Sequence, residues 1–183
     1  MNKKILKKLK KIHLVISDVD GVLTDGGMYY SQKGEILKKF NAKDGMGVEI
    51  LLCSKVKTIL LTRENSNIVK KRGSKIKAAA TYIGTFNKES QLQKICKKFQ
   101  VSPTEIAYIG DDLNDSEIMK LVGFAATPSD GIKDLRKIVD YVCKNNGGNG
   151  AFREIADLIV YLDTEQLSNM FIKTIYFDGL WFS

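Results

Sequence analysis

Soft metal ligands are scarce in this chain: it has three cysteines, Cys53, Cys96 and Cys143, and a single histidine, His13. The cysteines are far apart and form no Cys-x-x-Cys pair, which excludes a zinc site and leaves no evident disulfide framework. Reduced, mostly buried thiols in a cytoplasmic protein are the expectation. Long apolar runs are missing as well. No signal-peptide core follows the basic N-terminus, and no window reaches the roughly 20 apolar residues that span a bilayer. The chain is therefore expected to be soluble and unexported, with no membrane partner. It shows no internal repeat and no low-complexity linker, so 183 residues with 44% hydrophobic content favour one domain with a real core.

Charge is the one strong compositional bias, with Lys+Arg 29 against Asp+Glu 21 and a net +8. Much of the excess lies at Lys3, Lys4, Lys7, Lys8, Lys10 and Lys11, and in short stretches such as Lys70-Lys71-Arg72 and Lys97-Lys98. Without a nucleic-acid motif these read as solvated faces, and a small anionic substrate serves the charge equally well. Nucleic acid is not an expected partner.

Short apolar runs alternate with helical spacing. Leu14 to Ser17, Thr58 to Leu61, Ala107 to Ile109 and Gly123 to Ala126 read as strands covered on both faces, with shorter ones at Tyr82 to Gly84 and Tyr141-Val142. Between them Gly45 to Ser54, Ser66 to Ile76, Lys88 to Phe99 and Asp115 to Val122 carry helix-like periodicity. This order predicts an α/β fold with a doubly wound, mostly parallel sheet. The stretch Gly27 to Phe40 instead alternates around Gln32-Lys33-Gly34, which predicts an inserted β-hairpin over about residues 26–40.

Ligands in such sheets bind outside the carboxyl ends of the strands. The first strand ends in Asp18-Val19-Asp20-Gly21, the second in Thr62, a helix starts at Lys88, and the third strand ends in Gly110-Asp111-Asp112-Leu113-Asn114-Asp115. Asp and Gly after a strand are also ordinary turn residues, but all these polar groups fall at one sheet edge, where unpaired carboxylates repel. Phosphoryl transfer fits the set. Asp18 is the candidate nucleophile, forming an aspartyl phosphate, and Asp20 the candidate acid and base. Asp18, the Asp20 carbonyl and Asp111 offer hard oxygens for Mg²⁺. Thr62 and Lys88 can hold the phosphoryl oxygens.

The motifs Asp18-Val19-Asp20-Gly21-Val22-Leu23-Thr24, Thr62, Lys88 and Gly110 to Asp115 resemble those of the haloacid dehalogenase superfamily of phosphatases. Within it, Thr24 to Gly27, Phe40 to Gly45, Tyr108 to Asp115 and Gly147 to Glu154 resemble a small tetrameric branch without a large cap domain. That branch dephosphorylates eight- and nine-carbon 3-deoxy-ulosonic acid phosphates. The resemblance covers about residues 12–160 and implies a Rossmann-like fold, Mg²⁺, Asp112 and Asp115 behind the metal ligands, and a homotetramer. In that branch the hairpin joins the subunits and a neighbour roofs each active site.

The resemblance also bears on the substrate. Glu64 stands where nonulosonate 9-phosphatases have a substrate-facing glutamate, and Arg72 and Lys75 match basic positions of that type, whereas octulosonate 8-phosphatases usually follow the Thr with Gly-Arg. The leading expectation is therefore a sialic-acid-like nine-carbon 9-phosphate, with 3-deoxy-D-manno-octulosonate 8-phosphate of lipopolysaccharide synthesis as the alternative. Arg153, in the Gly147 to Glu154 signature, is a further candidate substrate ligand. A reading of another class is an assembly module beside a cytidylyltransferase of the same pathway. The phosphatase domain is expected over residues 1–163, and the apolar stretch 164–183 is a candidate for docking on a neighbouring subunit.

Overall fold

A computed structural model of the chain describes residues 3–161; the stretch 164–183, expected to dock on a neighbour, lies outside the described residues. Eight strands are found among them: β1 (Leu14–Ser17), β2 (Tyr29–Ser31), β3 (Gly34–Leu37), β4 (Lys57–Leu61), β5 (Ala80–Tyr82), β6 (Ile106–Ile109), β7 (Phe124–Thr127) and β8 (Tyr141–Val142). The helices are α1 (Lys3–Leu9), α2 (Ala42–Cys53), α3 (Asn67–Lys75), α4 (Lys88–Phe99), α5 (Ser116–Leu121) and α6 (Ala151–Tyr161).

Six strands form one parallel sheet in the order β5-β4-β1-β6-β7-β8. Side chains along a strand alternate between faces, and the core divides accordingly. Val15, Leu60, Ala107, Ile109 and Phe124 pack with Leu9, Val48, Leu51, Val69, Phe152 and Ile155 on the side of α2, α3 and α6. Leu14, Ile16, Ile59, Ile106 and Tyr108 pack with Leu92, Ile95, Ile118 and Met119 on the side of α4 and α5. Both faces are covered, which explains why the strands read as continuous apolar runs rather than alternating ones.

From β1 the chain winds outward through β4 and β5, then returns to the opposite side of β1 and continues through β6, β7 and β8. The winding reverses between β1 and β6, so a crevice opens at their carboxyl ends. The register places Ser17 opposite both Leu60 and Ile109. Residues just beyond these three strands therefore meet at the same height.

The expected hairpin is present as β2 and β3, antiparallel with a register shift at Tyr29/Tyr30, and its base is closed by a Thr24–Phe40 bridge. The short strand expected at Tyr82 to Gly84 falls instead at β5, Ala80–Tyr82, since Gly84 turns the chain with φ +64. The basic N-terminal stretch, expected as a solvated face, forms α1; Lys8 pairs with Asp140, and Leu9 is buried in the core. The cysteines are free thiols. Among the described residues, no helix is long and apolar enough to cross a membrane.

Candidate active site

Asp18 leaves β1 directly into the crevice, its backbone N–H held by the Ile109 carbonyl at 2.9 Å. Its carboxylate is buried; one oxygen accepts the Val19 N–H at 2.7 Å, and the other lies 2.8 Å from Lys88 Nζ. Lys88 is itself buried, and its ammonium also reaches Asp115 Oδ1 at 2.6 Å. A buried cation between two buried carboxylates is tolerable only because the charges compensate one another. Burial and the nearby Asp115 push the Asp18 carboxyl well above the usual carboxylate range, against the pull of Lys88.

Asp115 is the most heavily engaged group of the site. Besides Lys88, it accepts from the Tyr108 hydroxyl at 2.6 Å and from the backbone N–H groups of Asp111 and Asp112 at 3.0 and 3.3 Å. It thereby fixes the loop after β6 and places Asp111 beside Asp18. Carboxylate oxygens of Asp18, Asp111 and Asp115 all lie within 4.8 Å of one another. Burial, with Asp115 and Asp112 close by, raises the Asp111 carboxyl to about 7. Since Asp115 spends its oxygens on four donors, Asp18 and Asp111 are the oxygens left for a hard divalent cation. Gly21 makes room for that arrangement. It sits at φ +81, and a Cβ there would meet Asp111 Oδ2 at 2.0 Å.

Thr62 is buried just beyond β4. Its hydroxyl oxygen accepts the Glu64 N–H at 3.1 Å, which leaves the hydroxyl proton to donate elsewhere. Asp20 is held at Oδ1 by the Lys38 ammonium at 2.6 Å. An open cleft of about 200 Å³ is lined by Asp18, Asp20, Thr62, Arg63, Glu64 and Asp111, together with Asp112 and Asn114. Asp112 is exposed there, and its carboxylate caps the short turn at Leu113. The strand ends and the start of α4 thus bring Asp18, Asp20, Thr62, Asp111 and Lys88 together.

The residues named for substrate binding divide. Glu64 lines the cleft, beside Arg63, whose guanidinium stacks on the exposed Phe86 ring at 4.9 Å. Arg72 points elsewhere: it stacks on Phe40 at 5.3 Å and donates to the Asn41 carbonyl at 3.2 Å. Lys75 is exposed at the end of α3 and is not among the residues lining the cleft. Arg153 pairs with Asp157 at 2.7 Å on α6, and its backbone N–H donates to Asp44 at 3.0 Å. Within one chain, then, Arg72, Lys75 and Arg153 lie outside the cleft that Glu64 lines.

The Gly147 to Glu154 segment supports the site from behind. Gly148 N–H donates to the Val22 carbonyl at 2.9 Å, and a Cβ at Gly147 would fall 1.9 Å from the Gly21 carbonyl oxygen. The two glycines let this backbone lie against the loop that carries Asp20 and Gly21. Sequence reasoning did not single out Tyr108, Glu35 or Lys38. A phenol inside a fully buried strand needs an acceptor, so Tyr108 carried a usable signal; Lys38, in a Lys-Lys pair, carried none.

Three comparisons bear on this geometry. A haloacid dehalogenase-like hydrolase family profile matches residues 55–155, which include Thr62, Lys88 and Asp111. The chain is 36% identical over 156 residues to the 3-deoxy-D-manno-octulosonate 8-phosphate phosphatase of Escherichia coli (strain K12), covering 85% of this chain and 83% of that protein. Among solved structures it is similar to the phosphatase of that name from Moraxella catarrhalis, in complex with magnesium, phosphate and the KDO molecule. The TM-score is 0.85 and the identity 33%, covering 88% of this chain and 93% of that one. The cobalt-bound Haemophilus influenzae counterpart gives a TM-score of 0.83 at 34% identity, covering 85% and 91%.

Proposed function

The chain belongs to the family of haloacid dehalogenase-like hydrolases and is a phosphoric monoester hydrolase, and from that premise we propose that it releases phosphate from 3-deoxy-D-manno-octulosonate 8-phosphate. The observation that carries the reading is the convergence of Asp18, Asp20, Thr62 and Asp111 beyond the carboxyl ends of adjacent strands with Lys88 at the start of α4, in a chain so similar to phosphatases of that name. The nine-carbon expectation rested on Glu64, Arg72 and Lys75 together, and of these only Glu64 lines the cleft. Eight carbons is therefore the better-supported length.

Asp18 attacks phosphorus with a carboxylate oxygen, and the bond from phosphorus to the sugar oxygen breaks. The sugar oxygen leaves with the electron pair and takes a proton from Asp20. Asp20 then accepts a proton from water as that water attacks phosphorus and releases Asp18. Lys88 orients the nucleophile, and Thr62 donates its free hydroxyl proton to a phosphoryl oxygen. Asp18, Asp111 and the Asp20 carbonyl would hold Mg²⁺, which supplies Lewis-acid stabilisation of phosphate charge. The residues fit this cation, because the hard carboxylates of Asp18 and Asp111 crowd together beside Asp115, and burial with Asp115 and Asp112 close by raises Asp111. Arg63 is the cation among the residues lining the cleft, which suits an anionic substrate.

Oligomerisation belongs to the same reading. The hairpin exposes Met28, Tyr29, Tyr30, Ile36 and Leu37, an apolar face that a second copy of the chain would cover in a homotetramer. The test compares kcat/KM for the octulosonate 8-phosphate and a nine-carbon 9-phosphate, with Mg²⁺ and with chelator. The eight-carbon substrate should be preferred and the activity should require the cation. A preference for nine carbons that is lost in Glu64→Ala would restore the longer substrate. Assembly without any phosphate release would favour the module beside a cytidylyltransferase.

A further inference from the structure

Lys38 is the residue of the hairpin that the chemistry above leaves unexplained. Its side chain is fully buried, although it lies just past the end of β3 in an insert that exposes Met28, Tyr29, Tyr30, Ile36 and Leu37. The ammonium bonds Asp20 Oδ1 at 2.6 Å and Glu35 at 2.8 Å, and its remaining near neighbour is the Met28 sulfur at 3.8 Å. Glu35 in turn accepts from the Ser66 hydroxyl, and Ser66 caps α3. One chain of polar contacts thus runs from the α3 cap through the hairpin to Asp20.

The two oxygens of Asp20 are treated differently. Oδ1 is taken by Lys38, with the Thr24 hydroxyl at 3.4 Å. Oδ2 is buried and has no hydrogen-bond partner, while the residue lines the cleft. A buried carboxylate oxygen without a donor is costly unless something else uses it. We infer that Lys38, braced by Glu35 and Ser66, is a positioning residue that locks Asp20 by Oδ1 and presents Oδ2 as the oxygen that passes the proton to the leaving alkoxide and later takes one from water. This rests on the acid and base role proposed for Asp20.

Leaving-group dependence separates that role from a merely structural one. An alkoxide needs the proton, whereas p-nitrophenolate leaves without one, and kcat/KM reports the first phosphoryl transfer alone. The probes are the octulosonate 8-phosphate, or another primary alkyl phosphate that the wild type hydrolyses, and p-nitrophenyl phosphate. In Lys38→Met the alkyl-to-aryl ratio of kcat/KM should fall at least about tenfold, a fraction of the 10²–10⁴-fold that general acid catalysis supplies. Glu35→Gln, which keeps the amine but loosens its brace, should shift the ratio the same way by a few-fold, and so covers the case in which Lys38→Met does not fold. Equal losses on both substrates in whichever variants fold would overturn the inference. Asp20→Asn is the control: if it too leaves the ratio unmoved, the acid and base reading of Asp20 has failed, whereas a fallen ratio there with an unmoved ratio in the Lys38 and Glu35 variants refutes the positioning role alone.

Discussion

Replacing Lys88 by methionine removes a charge while nearly keeping the volume, and the consequence can be worked from the contacts. Asp115 would retain the Tyr108 hydroxyl and two backbone N–H donors. Asp18 would keep only the Val19 N–H, so it is the stranded carboxylate. Breaking a buried ion pair from one side costs about 3–5 kcal/mol, because the remaining charge keeps its desolvation penalty. For a chain of this size that corresponds to a fall in Tm of about 6–20 °C. The assay is urea unfolding followed by far-UV circular dichroism in chelator, so that no cation substitutes for the lysine. The decisive comparison adds Asp18→Asn. If the loss comes from a stranded charge, the double variant should be more stable than Lys88→Met alone, with a coupling of about 1–3 kcal/mol. A loss under about 1 kcal/mol in Lys88→Met, or a double variant less stable than the single one, would refute the reasoning.

Gly21→Ala should act on both backbone and site: the φ of +81 and the 2.0 Å approach to Asp111 predict a loss of about 1–2 kcal/mol from the left-handed conformation. The same change should raise the Mg²⁺ concentration for half-maximal activity by about tenfold or more, read from a metal titration of initial rates. Asp44 offers a pH test at a distance from the cleft. It accepts from the Gly150 and Arg153 N–H groups at the start of α6, so Asp44→Asn should cost about 1 kcal/mol. Burial raises the folded pKa of Asp44 even though the N–H donors and Arg72 pull it down. The folded protein therefore binds this proton more tightly than the unfolded chain, and the contribution is greatest below the unfolded pKa and shrinks as pH rises through the folded one. Urea titrations at acid and neutral pH should show the wild type's advantage over Asp44→Asn larger at acid pH; an advantage larger at neutral pH would show the opposite linkage.

Much of the fold was legible because its parts are local. The central strands are four or five residues long, mostly apolar and bounded by polar turns, and α4 spans the stretch its periodicity predicted. The Asp18 and Asp20 pair, Thr62, Lys88 and Asp111 were legible for a related reason: each follows a strand or opens a helix, and the parallel order of the sheet carries such positions to one edge. Residues named from the family resemblance and lying away from the strand ends were less legible. Arg72 and Lys75 share a face of α3, but a shared face does not say what it faces, and Arg72 turned out to stack on Phe40 next to the α2 cap.

What stayed hidden are the contacts that join distant segments. Lys88 and Asp115 are 27 residues apart, Lys38 and Asp20 are 18 apart, and nothing in the type or spacing of these residues announces the pairing. Yet their burial follows from a rule that needs no alignment: a carboxylate removed from water must find a donor. Asp18 and Asp20 are drawn into the crevice by the strand that precedes them, so two cations had to follow. One came from the start of α4 and the other from the hairpin, and the two carboxylates differ in consequence. Asp18, the proposed nucleophile, shares its cation with Asp115. Asp20 meets its cation in the hairpin insert, whose Met28 lines the cleft, and this gives an insert with an exposed apolar face a direct hold on the group proposed to move the proton.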